Sequence, residues 1–563
     1  MKLHQNIPDS TGMNAFRNDP VMAELLKIYL PSGFLELALP QLDRMGAMVN
    51  DRLEQLALAA DRNPPKLHIR ARNGAADERI EKHPAYEELE RIAFGEFGLA
   101  AMSHRGGVFG AKEKLPPLVK YALVYLFVQS EFGLCCPLSM TDSLTRTLTR
   151  FGSDELVSTY FDRLTSQDVD QLFQGAMFMT EQMAGSDVGS IETTARKVDG
   201  EWRLYGDKWF CSNPDAALAM VLARPGNGGA GTRGLSLFLL PRILPDGSRN
   251  AYRILRLKDK LGTRSMASGE ITLEGATAYL VGEAGQGFKQ MTDMINMSRL
   301  ANGVRSAGLM RRSVNETLFI ARNRSAFGKR LADLPLMRRQ LAKLLVTAEQ
   351  GRAMVFHTAH VLEASDRDDT AMTRVLRILT PLIKFRTCRD ARKVAGDAME
   401  VRGGCGYIEE WSDARVLRDA HLGSIWEGTS NIVALDVARA ARREDALSAL
   451  SGYIDDLMKE AASILGPLTD LTGAYHRAAA LLQAVAENPA REAETRRAAT
   501  AVYNATSACI MAWESARLTS LGMAGADARL CLAHEVLRHK LAARDPLALP
   551  EDEESPVADI LDI

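Results

Sequence analysis

The chain predicts an α+β fold, and two changes of pattern along its 563 residues predict it. Apolar residues recur at helical spacing up to about residue 172, drop to the period of strands from about 173 to 285, then return to helical spacing. A chain of this length exceeds one core and implies about three or four domains. The division reads as 1–172, an N-terminal helical domain; 173–285, a middle β-barrel or sandwich domain; 286–443, a C-terminal helical bundle; and 444–563, a helical extension.

In the first region Met22, Leu25 and Leu26, then Leu53, Leu56 and Leu58, mark amphipathic helices, interrupted by a Pro64-Pro65 loop. In the second, Ala176 to Met179 is an apolar strand-like run. Trp202 and Leu204 alternate before a Gly206-Asp207 turn signal, and KWFCSN, Lys208 to Asn213, reads as the return strand. Val221 to Ala223, Leu235 to Leu240, and Ile271 with Leu273 continue the strands. In the third, Met291 and Ile295, then Leu341, Leu345 and Ala348, then Val375, Leu379 and Leu382, mark successive helices of a bundle. The Ala-rich fourth region ends in the acidic run EDEES, and no solenoid repeat is visible.

Composition narrows the class. A formal net charge of −2 gives no global attraction to nucleic acid or to an anionic membrane. The opening MKLHQNIPDS has no apolar leader, and runs such as Tyr121 to Val128 are too short to span a bilayer, so a cytoplasmic protein is expected. The seven cysteines form no Cys-x-x-Cys pair and none lies at zinc spacing from a histidine, so reduced, mostly buried thiols and no metal are expected. Cys211 is the exception to watch, because it lies beside the polar turn described next.

Two distant stretches carry chemistry. In MTEQMAGSDVGSIETTA, Met179 to Ala195, the strand gives way to small residues Ala184, Gly185 and Ser186 followed by Asp187. Such a turn exposes consecutive N–H groups and a hydroxyl, a seat suited to a pyrophosphate. In SIWEGTSNI, Ser424 to Ile432, Glu427 stands between Trp426 and a Gly-Thr-Ser-Asn turn. The aromatic surface lowers the local dielectric and raises a carboxylate pKa towards the range of a general base. Gly428 permits close backbone approach, and Thr429, Ser430 and Asn431 offer donors. A Glu before a Gly also fits a solvated helix end. Gly226, Gly228 and Gly231 satisfy G-x-G-x-x-G, but the strand-like GLSLFLL follows where a dinucleotide site needs a helix, so this is a hairpin loop.

Read together, these stretches resemble the acyl-CoA dehydrogenase superfamily. The upstream stretch resembles its flavin-binding signature, and IWEGTS resembles the segment with its catalytic glutamate. RNRSAFGKRL, Arg322 to Leu331, is similar to its Arg-x-x-Phe-Gly element, and GGCGY, Gly403 to Tyr407, is a fourth match in the family's order. Within the superfamily the chain most resembles AidB-type flavoproteins, through NPPKL at Asn63 to Leu67, LCCPLSMT at Leu134 to Thr141, LKDKLGTRSMAS at Leu257 to Ser268, and a long tail.

The resemblance implies FAD, an acyl-CoA or related thioester as substrate, an electron-transfer flavoprotein as acceptor, and a homotetramer. It implies that Glu427 removes an α-proton while the β-hydrogen passes as hydride to the flavin. Trp426 fills a position usually held by Tyr. Arg299 matches a substrate-side Arg that in some relatives follows the base; here Ser298 precedes it, leaving no rival carboxylate. Met177, Met179 and Thr180 match positions lining the flavin, although Met177 and Met179 fit ordinary core equally well. Ser186 matches a pyrophosphate contact, Phe210 stands where many members have Trp, and Ser212 replaces Thr. Arg324 and Phe327 match residues that reach a neighbouring subunit's cofactor. Gly404, Thr429 and Asn431 match cofactor neighbours, whereas Pro335 and Glu400 replace glutamines that touch the cofactor.

The alternative is an AidB-type role in DNA protection or acyl binding with little turnover. Roughly ten Lys and Arg stand against about nineteen Asp and Glu over 444–563, a poor surface for nucleic acid. The basic pairs Arg311-Arg312, Arg338-Arg339 and Arg442-Arg443 read as solvated helix faces or subunit contacts.

Overall fold

The computed structural model describes residues 7–226, 228–543 and 547. The opening hexapeptide, Asn227 and the EDEES run lie outside the described residues. The chain divides into two compact units.

One unit comprises Arg52–Leu115 and Ser130–Ala301 and holds the sheet. Its strands are β1 (Lys66–Arg70), β2 (Ala76–Glu81), β3 (Gly175–Phe178), β4 (Thr194–Val198), β5 (Glu201–Ser212), β6 (Leu218–Pro225), β7 (Ser236–Pro241), β8 (Tyr252–Leu257) and β9 (Ser268–Val281). The order β3-β6-β4-β5-β9-β7, with a further β6–β7 pairing, closes the strands into a barrel-like ring. Residues of period two point inward from each strand, so Phe178, Leu204, Phe238, Ile254 and Ile271 form one core. Antiparallel β6 and β7 flank the glycine-rich segment, as its hairpin-loop reading requires.

Two local readings change. Lys66–Glu81 forms an antiparallel hairpin, with Leu67 opposite Ile80, inside the region read as helical. Asn73-Gly74 is its turn signal, and Gly74 has φ +84°. Gly206-Asp207 does not turn: β5 runs straight through, pairing Gly206 with Leu273 and Asp207 with Thr272. Gly206 is needed for close approach instead, since a Cβ there would lie 2.9 Å from the Thr193 Cα.

The other unit comprises the residues up to Asp51, Pro116–Gln129 and those from Asn302 onward. It is a bundle in which Leu341, Leu345 and Ala348 on the Pro335–Ser365 helix and Val375, Leu379 and Leu382 on the Thr370–Arg402 helix are buried as their spacing predicts. The Thr495–Ser520 helix is buried along most of its length, so part of the extension is core.

Arg311 and Arg312 are not on a solvated face. Arg311 lies 3.1 Å from both Asp19 and Glu349, while Arg312 pairs with Glu316 at 3.2 Å. Arg352 binds Asp19 at 2.7 Å and Glu349 at 2.5 Å; Arg529 binds Glu349 at 2.6 Å and also pairs with Glu514. Arg311, Arg352 and Arg529 thus balance Asp19, Glu349 and Glu514, which is what permits six charges below water's reach.

All seven cysteines are free, and Cys211 is in the barrel core, where burial drives its thiol pKa upward; it is not a reactive thiol beside the turn. No described helix is long and apolar enough to cross a membrane. Among the described residues no group of three or more His, Cys, Asp or Glu could hold a metal.

Candidate functional site

In the sheet-bearing unit, strand alternation sorts the residues of β3. Ala176 and Phe178 enter the core, whereas Met177 and Met179 are half-buried on the other face. The Trp209 N–H donates to the Thr180 carbonyl at 2.9 Å, bringing the end of β3 beside Phe210 on β5. Phe210 is 57 % exposed, an unusual position for a large aromatic unless something covers it. The Lys258 ammonium sits 3.4 Å from the Trp209 ring centre and 4.9 Å from that of Phe210. Ser212 is half-buried opposite Ser268 on β9, and Ser186 is exposed in the turn.

The turn is held from beneath by a pair that sequence reasoning missed. Lys208 Nζ donates to Glu181 at 2.6 Å and to the Leu222 carbonyl at 3.0 Å. Glu181 also accepts from the Glu192 N–H at 2.7 Å and from the Thr193 hydroxyl at 2.5 Å. Burial pushes the Glu181 pKa up, but Lys208 and these donors outweigh it and hold the carboxyl below its ordinary value. The pair fastens both ends of the polar segment to the barrel. Arg299 is half-buried on the helix that begins at Gly287, directly after the buried Ser298.

In the helical unit Glu427 lies in a tight turn between the Ser412–Gly423 and Ser430–Arg443 helices. It is half-buried rather than a solvated helix-end residue, and its φ is +56°. A left-handed backbone at a non-glycine residue costs on the order of 1–3 kcal/mol, and such strain collects at functional sites. The next residue, Gly428, has φ +100°, so the two together reverse the chain. The Lys384 ammonium donates to the Gly428 carbonyl at 2.9 Å.

Trp426 does not offer the bare apolar surface expected of it. The buried Arg305 guanidinium stacks 4.8 Å from its ring centre, placing a cation in the surroundings of the turn. Neither Arg305 nor Lys384 was foreseen, because their partners lie far away in sequence. Thr429 stands at the N-cap of the Ser430–Arg443 helix, but its side chain makes no capping bond and is exposed. Asn431 is exposed and accepts from Arg496 at 3.4 Å.

Two more expected residues meet in the same unit. Arg324 Nη1 donates to the Arg402 carbonyl at 3.1 Å, and a Cβ on Gly403 would lie 3.8 Å from the same nitrogen. This places Arg324 beside the Gly403-Gly404 segment from 78 residues away. Phe327 tips the hairpin that pairs Ser325–Ala326 with Lys329–Arg330; it has φ +53° and is 94 % exposed. A strained, fully presented aromatic is a poor choice for an isolated surface and a good one for docking elsewhere. Within the sheet-bearing unit, half-buried methionines beside a polar turn suit a ligand bearing both an apolar ring system and phosphates.

Comparison with known proteins gives this arrangement a family. Residues 6–171 match the model of the adaptive response protein AidB N-terminal domain, 176–276 that of the acyl-CoA dehydrogenase middle domain, and 285–442 that of the acyl-CoA dehydrogenase C-terminal domain. The chain is 33% identical over 450 residues to the putative acyl-CoA dehydrogenase AidB of Escherichia coli (strain K12), covering 78% of this chain and 79% of that one. It is 31% identical over 457 residues to acyl-CoA dehydrogenase family member 11 of Caenorhabditis elegans, covering 79% and 73%. The crystal structure of Caenorhabditis elegans ACDH-11 in complex with C11-CoA superposes with a TM-score of 0.88 at 28% identity, covering 96% of this chain and 94% of that one. The chain belongs to the acyl-CoA dehydrogenase family, whose members bind FAD.

Proposed function

We propose that the protein is an FAD-dependent acyl-CoA dehydrogenase that desaturates an acyl thioester between its α and β carbons, with Glu427 as the base. The observation that carries this reading is Glu427 itself: a half-buried carboxylate in a left-handed turn, braced by Lys384 through Gly428 and flanked by Trp426. FAD, when bound, supplies the acceptor for the β-hydrogen. Glu427 takes the α-proton on its carboxylate. Arg305, stacked on Trp426, fixes the ring beside the base.

Met177, Met179, Thr180, Phe210 and Ser212 would hold the ring end of FAD, and Ser186 its pyrophosphate. Thr429, Asn431 and Gly404 would meet its remaining polar groups. Arg324 and Phe327 would serve a neighbouring subunit's FAD, within a homotetramer. Trp426 and Arg299 are assigned to the substrate side. An electron-transfer flavoprotein is the proposed acceptor and the cytoplasm the proposed location. Nucleic acid is not a proposed partner, because Arg311 and Arg312 are spent in buried ion pairs and the extension carries an acidic excess.

Acyl binding with slow turnover is a second reading. It is favoured by one observation: a structural relative is described with C11-CoA bound. The two readings separate in a single test. Glu427→Gln should keep FAD bound and lower the rate of substrate-driven flavin reduction by about 10²- to 10⁴-fold, the usual reach of a general base. Reduction at the wild-type rate would remove Glu427 from the reaction.

A further inference from the structure

The Thr370–Arg402 helix carries Arg386, Arg389, Arg392 and Lys393, spaced so that one face presents them all. With Asp390 and His421 they line an open pocket of about 300 Å³, at the lower end of the range for small-ligand sites. None of these groups belongs to the flavin or acyl site proposed above.

The pocket is short of negative charge. Asp390 pairs with Arg386, and Lys393 reaches Asp397 at 2.8 Å. Among the described residues Arg389 and Arg392 form no ion pair; each spends a hydrogen bond on a hydroxyl. Arg389 Nη1 donates to the Ser430 hydroxyl at 3.2 Å, and Arg392 Nη1 donates to the Ser424 hydroxyl at 3.0 Å. The Nε–H groups of Arg386 and Arg389 are buried with no acceptor among the described residues. Burial, then the neighbouring Arg496, Arg386 and Arg392, pulls the Arg389 pKa down, the sign of cations crowded without compensation. Burial and then Arg392 likewise depress His421, which keeps it neutral near pH 7.

The four pocket cations therefore outnumber their partners Asp390 and Asp397, and Arg496 adds a further positive charge beside Arg389, so a multiply charged anion is favoured. Planar guanidiniums with open N–H edges favour the tetrahedral oxygens of phosphate, and the open mouth leaves room for whatever the phosphate is attached to. Ser424 and Ser430 bracket the Glu427 turn, so the arginines that would hold the anion also hold the turn's two ends.

We propose that this pocket binds a phosphate group, free or as a monoester, and that the bound anion stiffens the turn carrying Glu427. The full-length flavoprotein would be titrated calorimetrically with inorganic phosphate and with a nucleoside monophosphate, and its thermal unfolding followed in phosphate and in sodium chloride of matched ionic strength. Saturable one-site binding is expected, with a rise in unfolding temperature that chloride does not reproduce. Equal affinity for both ligands would identify free phosphate as the source, and tighter binding of the nucleotide an ester. Arg389→Gln should weaken binding at least tenfold. Lys393→Gln, a change at an exposed position that leaves the helix intact, should weaken it about threefold, as expected for losing one solvent-screened charge. Hydrogen exchange of the amides from 424 to 430 should slow on phosphate binding. Wild-type affinity in both variants, an equal effect of chloride, or unaltered exchange in the turn would overturn the proposal. So would Arg389-dependent capture of duplex DNA by a protein that inorganic phosphate fails to saturate, which would make the stripe a nucleic-acid contact.

Discussion

Glu349 and Glu427 are glutamates of the same helical unit, and they are held in opposite ways. Glu349 sits in the middle of a regular helix, fully enclosed, and accepts from Arg311, Arg352 and Arg529. Burial alone would push its pKa up, but those three guanidiniums hold the carboxyl at about 2. Glu427 lies in a left-handed turn between helices, beside an aromatic ring, and is only half-buried. The first is immobilised by charge in a place where no proton chemistry is useful. The second is placed by a left-handed backbone and is only partly enclosed. A carboxylate enclosed by three guanidiniums is architectural, whereas the left-handed turn at Glu427 is the feature on which its proposed role as a base rests.

The sharpest way to break this contrast is to exchange the consequences. Glu427→Gln should abolish nearly all flavin reduction and leave the unfolding temperature within a degree or two of wild type. Glu349→Gln should do the reverse: leaving three buried arginines with only Asp19 and Glu514 to balance them costs roughly 3–5 kcal/mol of stability, read as a large fall in unfolding temperature, with reduction per folded, FAD-loaded molecule preserved. A stable Glu349→Gln protein would show that the buried cluster is replaceable.

The pH dependence sharpens the comparison further. Burial chiefly, with His360 adding to it, lowers the pKa of His357 from 6.5 to about 3. A base whose folded pKa is depressed binds fewer protons folded than unfolded. Its contribution is thus complete above pH 6.5 and lost as pH falls towards 3. Glu349, depressed from 4.5 to about 2, contributes fully above pH 4.5 and fades between 4.5 and 2. Unfolding temperature should therefore begin to decline below pH 6.5, by an amount worth about 2 kcal/mol before pH 5. His357→Gln should make that first segment shallower, the remainder belonging to His360 and His421, whose pKa values burial also lowers, while leaving the later decline. An unchanged profile in the variant would remove His357 from the account.

Smaller effects test the cofactor side. Arg324→Ala should lower FAD affinity about tenfold, roughly the worth of one charge-assisted hydrogen bond, measured as occupancy after dilution; full retention in a monomer would contradict its proposed reach to a neighbour. Glu427→Gly should raise stability by about 1 kcal/mol, since glycine adopts the left-handed turn without strain. A loss of stability there would mean the side chain does structural work that the turn geometry does not reveal.

What the sequence made legible follows from what local pattern can encode. Period and turn chemistry located the helices around Leu341 and Leu379, the strands at Leu235 to Leu240 and Ile271, and the antiparallel pair that flanks the glycine-rich segment. Motif order located the Glu427 turn and the Arg324 hairpin. Pairings across long sequence separations were out of reach: Glu181 with Lys208, Arg305 with Trp426, and the cluster joining Asp19 to Arg352 over 333 residues. Nothing in their neighbourhoods distinguishes a surface arginine from a buried, compensated one. The Lys66–Glu81 hairpin escaped because neither of its strands has a cleanly buried face, so no alternation appears. Gly206 misled because the same residue that favours a turn also permits close packing inside a strand.

The most direct test of the central claim is an anaerobic titration of the FAD-loaded protein with acyl-CoAs from short to long chain, following the visible absorption band of oxidised flavin. A dehydrogenase with Glu427 as its base should bleach with at least one chain class, and Glu427→Gln should not. A flavin band that no acyl-CoA bleaches, in protein that binds those ligands tightly, would contradict dehydrogenation and leave acyl binding as the protein's activity.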